Sequence, residues 1–266
     1  MIIIGEKLNG SIPAVAEAIA RRDAAFIRER ASQQTAAGAD FLDVCASVKK
    51  DELETLRWMI EQVQEASDLP ICVDSPDPRV CVEAMQYCRK PGMINSVSME
   101  GDKADIIFPA IAGTEWECVG LLCAKGIPAS AEERLRVFDG LLGKMEQYGI
   151  APSKMHIDPL VEMLCTAKNG VHMVLDVIRE VRERCPDIHV TGAVSNVSFN
   201  LPVRKVLNLS FLALAMSAGM DSAVMDPCNR DLMGMAYATE AMLGKDPFCI
   251  RYIGAYRNHL FGPAVQ

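Results

Sequence analysis

The sequence contains few aromatic residues, no excess of basic residues and no long apolar run. Aromatic residues make up 6% of the 266 positions, and 27 Lys and Arg stand against 35 Asp and Glu, for a net charge of -8. An acidic chain without a basic cluster is a poor candidate for binding nucleic acid or an anionic membrane. No apolar run approaches the roughly 18 residues that span a bilayer. We therefore expect neither nucleic acid nor membrane as a partner.

The signature motifs of several enzyme classes are also missing. The chain has no GxGxxG, P-loop, GxSxG or HExxH sequence, which argues against dinucleotide and nucleotide-phosphate sites, serine hydrolysis and a zinc site. We expect no protein-bound metal. The ten cysteines form no CxxC pair and are interpreted as reduced thiols that pack as small apolar groups. Because residues 1–7 reach an acidic charge early and have no basic leader, we expect no signal peptide and a cytoplasmic location.

What the chain does have is apolar material in a regular arrangement. Hydrophobic residues make up 50% of it, enough for a substantial core. Short β-prone runs alternate with amphipathic segments of helical spacing. The predicted strands are residues 2–6, 41–45, 71–74, 93–97, 118–123, 155–157, 189–194 and 223–225. Most are apolar throughout instead of alternating, which is typical of a parallel sheet covered on both faces.

The number of units selects the fold. Eight strand–helix units average about 33 residues each, close to the size of a βαβ unit, and eight is the number that closes a TIM barrel of about 250 residues. We predict an α/β protein with a single TIM (β/α)8 barrel, residues 1–266 forming one domain. A doubly wound open sheet is the alternative. Residues 251–266 follow the eighth unit as a tail to which the sequence assigns no role.

Polar side chains follow four of the predicted strands, where a barrel places its chemistry. They are Asp74, Asn95, Asp158 and Asn196. Any one of them could instead cap a helix or form a turn, and that is the better interpretation for Ser75 and Asp226. Together, carboxylates and amides at one mouth suit a ligand with many donors and acceptors along a flat edge. They suit proton abstraction poorly.

Histidine and cysteine offer weaker candidates. His156 lies inside the sixth predicted strand, where we expect a structural role. Cys45 and Cys123 end strands near the expected mouth, so a nucleophilic thiol is an alternative. No histidine stands at a comparable strand end to activate either thiol.

Five motifs in order along the chain carry a family resemblance. They are GEKLNG at 5–10, CVDS at 72–75, MINS at 93–96, IDP at 157–159 and SNVS at 195–198. The chain resembles the pterin-binding TIM-barrel family from residue 2 to about residue 248. Within that family it is most similar to the methyltetrahydrofolate–corrinoid protein methyltransferases, relatives of the folate domain of cobalamin-dependent methionine synthase.

The resemblance implies roles for eight residues. Asp74, Asn95 and Asp158 would hydrogen-bond the pterin ring, whose edge carries an amino group, an N–H and a carbonyl. Asn196 would lie beside N5 of the folate as the catalytic residue. Ser195 and Arg204 match family positions on the loop after the seventh strand. Asn9 and Asp43 match positions that contact the ligand or support those that do.

The implied reaction moves a methyl group between N5 of tetrahydrofolate and the cobalt of a corrinoid. Folate is then a substrate, the corrinoid is carried by a partner protein, and the family favours a homodimer. An asparagine amide can donate or accept, so it can follow N5 as the C–N bond breaks. The direction of transfer stays open, since Cys45 and Phe199 depart from the family's usual residues at the rim.

Two other functions stay open from the sequence. A dihydropteroate synthase shares the barrel and the pterin site, but it needs basic loops for a pyrophosphate, and here the first two loops offer only Lys49 and Lys50. A non-catalytic folate-binding or corrinoid-docking module would not need a group at N5. The apolar run at 211–216 suits burial under a neighbouring helix or at a homodimer interface.

Overall fold

The computed structural model describes residues 1–48, 50–167 and 169–263. Within these ranges the strands are β1 (Ile2–Asn9), β2 (Phe41–Cys45), β3 (Ile71–Asp74), β4 (Met93–Val97), β5 (Glu117–Leu121), β6 (Met155–Asp158), β7 (His189–Val190) and β8 (Ser222–Met225). The α-helices are α1 (Pro13–Arg21), α2 (Ala24–Ala36), α3 (Glu52–Ala66), α4 (Pro78–Ala84), α5 (Lys103–Ile111), α6 (Ala131–Tyr148), α7 (Gly170–Arg184), α8 (Arg204–Ala218), α9 (Arg230–Met242) and α10 (Ile250–Arg257).

The strands form one parallel sheet in the order β7-β6-β5-β4-β3-β2-β1-β8. An isolated parallel bridge between Ala193 and Val224 joins the two ends of that order. Beside it, the backbone N–H of Val224 donates to the carbonyl of Gly192 at 3.1 Å. The sheet therefore closes on itself, and the predicted TIM barrel is confirmed.

Apolar side chains fill two separate regions. The larger region lies between the strands and the surrounding helices, to which α6 contributes Phe138, Leu141 and Met145. A smaller cluster contains Ile4, Cys72, Met93 and Val119 from strands β1, β3, β4 and β5. Because these side chains are separate from the strand–helix core, they occupy the inside of the barrel, as layered side chains do in this fold.

Strand boundaries differ from prediction where the chain turns early. β5 ends at Leu121 because the N–H of Cys123 turns back to the carbonyl of Leu121 at 2.7 Å. β7 keeps only two residues as a regular strand, and residues 194–198 form a 3₁₀ turn instead of its end. β1 runs on to Asn9 through an irregularity in its pairing with β2 between Gly5 and Leu8.

The chain after the eighth unit folds back onto α9. The ring of Phe261 packs against those of Tyr237, Tyr252 and Tyr256. The guanidinium of Arg230 donates to the backbone carbonyls of residues 259, 261, 262 and 263. Most of the predicted tail is thus packed structure, while residues 264–266 lie outside the described residues.

The end of the barrel opposite the strands' carboxyl ends is closed by polar contacts. His156 is buried, with its ring nitrogens 3.0 Å from Ser222 Oγ and 2.8 Å from Glu117 Oε2, and its ring stacks on that of His189. These contacts agree with the structural role predicted for His156. In the ranges described, no helix is both long and apolar enough to cross a bilayer.

Candidate active site

A cavity of about 530 Å³ opens at the carboxyl ends of the strands. Its size is within the range of small-molecule sites. All eight residues selected from the sequence line it: Asn9, Asp43, Asp74, Asn95, Asp158, Ser195, Asn196 and Arg204. The fold therefore brings the whole predicted set to one place, and their individual roles stay predictions.

One side of the cavity is lined by two carboxyls, Asp43 and Asp74, and by the amide of Asn95. Asn95 Nδ2 donates to Asp43 Oδ1 at 3.1 Å, which fixes the orientation of the Asn95 amide. Asp43 is 2% exposed, and burial together with the charge of Asp74 raises its pKa well above its ordinary value. Burial raises the pKa of Asp74 to about 6. This wall can accept hydrogen bonds from a ligand and can also hold a proton near neutral pH.

Asp158 faces the cavity from the end of β6. Its Oδ1 accepts the backbone N–H of Leu160 at 2.8 Å, and Leu160 has a positive φ of +66°. Burial raises the pKa of Asp158 to about 6. The carboxylate lines the cavity and can accept further hydrogen bonds from a ligand.

The loop after β7 presents Asn196 to the cavity. Arg204, at the start of α8, donates from Nε to Ser198 Oγ and from Nη2 to the carbonyl of Ser195, both at 2.9 Å. Its guanidinium also stacks over the ring of Phe199 at 4.5 Å. Across the described ranges, the side-chain amide of Asn196 has no protein hydrogen-bond partner. Arg204 thus fixes the loop while the Asn196 amide is available to a ligand.

Asn9 supports the first loop. Its Oδ1 accepts from the backbone N–H of Ser11 at 2.9 Å and from Ser47 Oγ at 3.2 Å. The following residue, Gly10, lies so close to the next loop that a Cβ would come within 2.1 Å of the Ala46 carbonyl oxygen. Only glycine permits this approach, and it joins the loops after β1 and β2.

Glu6 is a cavity residue that the sequence reasoning did not select. Its carboxylate accepts a hydrogen bond from Ser195 Oγ at 3.3 Å, and burial raises its pKa to about 7. A signal was present, because Glu6 is an acidic residue within an otherwise apolar predicted strand. Its presence corrects the expectation that the site is poorly suited to proton transfer.

The two candidate thiols are poorly placed for nucleophilic catalysis. Burial and the charge of Asp74 raise the pKa of Cys45, and burial raises that of Cys123. Neither cysteine is among the residues that line the cavity. A protonated, buried thiol is a weak nucleophile.

Two cations were considered for a pyrophosphate, and the structure describes one of them. Lys49 lies outside the described residues, and Lys50 is exposed and is not part of the cavity lining. Within the described ranges, no three His, Cys, Asp or Glu side chains are grouped to hold a metal ion.

The fold and the site together define a class. A barrel with a cavity of carboxyls and amides at its strand ends has the layout of a barrel enzyme's small-molecule site, with groups that can pair with a ligand rich in hydrogen-bonding atoms. Residues 14–226 match the family of pterin binding enzymes. The chain belongs to that family.

Two relatives and one solved structure are similar to the chain. It is 46% identical over 267 residues to a methylcorrinoid:tetrahydrofolate methyltransferase of Eubacterium limosum, covering 99% of this chain and 98% of that one. It is 28% identical over 240 residues to the methionine synthase of Mycobacterium tuberculosis, covering 84% of this chain and 20% of that much longer one. A structure of Yersinia pestis DHPS with a pterine-sulfa conjugate has the same fold, with a TM-score of 0.66, 18% identity and coverage of 92% and 93%.

Proposed function

We propose that the protein is a methyltransferase that moves a methyl group from a corrinoid-carrying protein to N5 of tetrahydrofolate. The observation that carries the proposal is near full-length identity of 46% to an enzyme named for this reaction and direction. The cavity supports it, since all eight residues implied by the family resemblance line one opening of suitable size.

In this proposal the pterin ring lies between Asp74 at the end of β3 and Asp158 at the end of β6. Asp74 and Asp158 accept hydrogen bonds from its amino group and ring N–H, and the Asn95 amide pairs with the carbonyl edge. Asp43 acts behind Asn95 through their 3.1 Å hydrogen bond. Such a set fixes the ring in one orientation, so that N5 is presented at the same place in each turnover.

The chemistry at N5 requires one proton to move. The N5 lone pair forms a bond to the methyl carbon, the cobalt–carbon bond breaks, and its electron pair stays on cobalt as Co(I). N5 then carries a positive charge and must lose its proton. Asn196 accepts a hydrogen bond from the N5 proton as it becomes acidic, and Glu6, whose pKa is about 7, is the cavity residue best matched to receive that proton.

A single-turnover experiment tests the proposal. Methylcobalamin and tetrahydrofolate are mixed anaerobically with the protein, and formation of Co(I) cobalamin is followed by absorbance. The reverse mixture, methyltetrahydrofolate with Co(I) cobalamin, is run beside it. Transfer in either direction supports the methyltransferase, and the ratio of the two rates tests its direction. Folate binding without transfer to free or protein-bound corrinoid contradicts catalysis and favours a binding module. Absence of folate binding contradicts the pterin site.

Asn196→Ala is the variant that tests the N5 contact. We expect methyl transfer to slow by more than about tenfold, the effect of removing one preorganised polar contact. Asn200→Gly is the matched control, because Asn200 lies on the same loop with a positive φ of +62° that glycine adopts easily. An unchanged single-turnover rate in Asn196→Ala would contradict the role of Asn196.

We further propose a homodimer that works in the cytoplasm. Within the apolar run at 211–216, Phe211, Leu212, Ala215 and Met216 are buried within the chain, and Leu214 is 50% exposed. A larger set of exposed apolar side chains lies further along the chain: Met242, Leu243, Phe248, Ile250, Ile253 and Tyr256, here called the α9–α10 surface. A patch of this kind is typical of a protein interface. All ten cysteines are free thiols, which supports a reducing compartment.

A further inference from the structure

Arg134 is a buried charge that does not line the cavity. It lies in the second turn of α6, on the outer layer of the barrel, and its side chain is 0% exposed. Burying a guanidinium is costly unless its donors are satisfied. Its contacts therefore indicate what it is there to hold.

Those contacts all lie on the loop that follows β6. Nη1 donates to the carbonyls of Pro159 at 2.5 Å and Leu160 at 2.7 Å, and Nη2 forms an ion pair with Glu162. Two of these are backbone carbonyls directly after Asp158. The guanidinium thus binds the loop from behind while Asp158 faces the cavity in front.

The same loop has a backbone that needs such support. Leu160 adopts a φ of +66°, a conformation that a branched residue rarely takes without compensation. In this conformation the N–H of Leu160 points to Asp158 Oδ1 at 2.8 Å and fixes the carboxylate. Leu160 therefore links the two residues: its carbonyl accepts a hydrogen bond from Arg134, and its N–H donates one to Asp158.

We propose that Arg134 is the positioning residue for Asp158: from α6 it holds the β6–α7 loop in its positive-φ conformation and keeps the Asp158 carboxylate oriented and charged toward the pterin. The importance of Asp158 for folate rests on the proposed function. The effect of Arg134 on Asp158 does not, so it can be measured in the protein without a ligand.

The charge of Arg134 also favours the ionised form of Asp158. Burial raises the pKa of Asp158, and the positive charge of Arg134 opposes that rise. The ion pair with Glu162 offsets part of the Arg134 charge. The other cavity carboxyls, Glu6, Asp43 and Asp74, stand on β1, β2 and β3, across the barrel from β6.

Aspartate-selective isotope labelling and NMR give the direct test. The Asp158 carboxyl signal is assigned by its absence in Asp158→Asn and titrated with pH in the ligand-free protein. In Arg134→Met we expect its midpoint to rise by about one pH unit or more, as loss of a nearby opposite charge does. Glu162→Gln should move the midpoint in the opposite direction, because it leaves the Arg134 charge uncompensated. Arg134→Lys keeps the charge and should stay near the wild-type midpoint.

Arg182→Met is the matched control. Arg182 also donates to a backbone carbonyl, that of Ile188, and pairs with a carboxylate, Asp221, at 3.5 Å, but at the opposite end of the barrel. It should lower stability without moving the Asp158 midpoint. An Asp158 midpoint that is unchanged in both Arg134→Met and Glu162→Gln would overturn the proposal and leave Arg134 a packing residue. If Arg134→Met does not fold, Glu162→Gln alone decides: a lowered Asp158 midpoint supports the proposal and an unchanged one overturns it.

Folate affinity separates this inference from the proposed function. If Asp158 binds the pterin, Arg134→Met should weaken folate binding by about tenfold, the scale of a charge-assisted hydrogen bond. A shifted Asp158 midpoint with unchanged folate affinity would uphold the positioning role and contradict the pterin role of Asp158.

Discussion

Glu6 is the residue to which the proposed mechanism assigns the proton of N5. It lies on β1 and accepts a hydrogen bond from Ser195, the residue before Asn196. Burial raises its pKa to about 7, which places its titration where a general acid or base is most effective. In the proposed mechanism, Glu6 is the partner for the proton that N5 gains or loses.

The pH dependence of turnover tests this role. Transfer to tetrahydrofolate needs ionised Glu6, so the rate at saturating substrate should rise with pH through about 7. The reverse transfer needs protonated Glu6, so its rate should fall over the same interval. Glu6→Gln should remove both dependences and slow transfer by about a hundredfold.

Glu6→Asp serves as the control that retains a carboxyl. Substrate must be saturating in all these measurements, because Asp74 and Asp158 titrate near pH 6 and would change affinity. A Glu6→Gln enzyme with the wild-type pH profile would show that the proton goes elsewhere.

The site residues were accessible from the sequence to different degrees. Asp74, Asn95, Asp158 and Asn196 could be selected because a polar residue at the end of an apolar run marks a strand end. Glu6 also ends its predicted strand, residues 2–6, yet it is not among the residues selected, and in the structure β1 continues past it to Asn9. Whether a carboxyl within a strand faces a cavity or solvent depends on barrel closure, which no local pattern contains.

At the scale of elements, helix periodicity identified the buried side of α6 but not its most unusual residue. Phe138, Leu141 and Met145 face the core as their spacing predicts. Arg134 is also fully buried, yet an arginine next to two glutamates looks like part of a solvated face. Its burial depends on carbonyls of a loop 25 and 26 residues away, a distance at which sequence patterns carry no information.

The junction of β7 and β8 shows how a short strand is held. β7 has only two residues, so few backbone hydrogen bonds join it to its neighbours. Side-chain hydrogen bonds take their place. Asp221 accepts the backbone N–H of Val190 at 2.9 Å and contacts His189 Nδ1 at 3.0 Å. The hydrogen bond to Asp221 raises the pKa of His189.

The stability of this junction should depend on pH. Because the folded-state pKa of His189 exceeds its unfolded value, its contribution is complete below the ordinary pKa of about 6.5 and is lost as pH rises through the raised value. Relative to His189→Gln, which keeps a hydrogen-bond donor, the wild type should be more stable by about 1 kcal/mol at low pH. The difference should shrink above neutral pH.

Urea unfolding across the neutral range measures this difference. Asp176→Asn, which removes an exposed ion pair with Arg179, is the control and should change stability little at any pH. A difference between wild type and His189→Gln that is constant with pH would contradict the titration of His189.

For the molecule as a whole, the α9–α10 surface is the feature that the folded chain leaves uncovered. Phe248 is 91% exposed, and Met242, the last residue of α9, is 88% exposed. The sequence offered residues 211–216 for burial under a neighbouring helix or at a homodimer interface, because a run that is apolar on all sides does not distinguish burial within a chain from burial between chains.

Phe248→Glu should therefore convert the proposed dimer to a monomer, since a charge placed in an apolar interface must be desolvated without a partner. Light scattering after size-exclusion chromatography gives the mass directly. Ile127→Glu, at a 65% exposed position on the loop after β5, should leave the mass unchanged. A wild-type protein that is monomeric at micromolar concentration, or a dimeric Phe248→Glu, would contradict this interface.

The buried carboxyls of the cavity also have a thermodynamic consequence. Near pH 6, Asp74 and Asp158 are each partly protonated in the empty site. A pterin that pairs with their ionised forms must displace those protons into solution. Folate binding would then release protons, and its calorimetric heat would vary with the ionisation enthalpy of the buffer. The ligand-free enzyme would thus hold protons on Asp74 and Asp158 that are released to the solvent when folate binds.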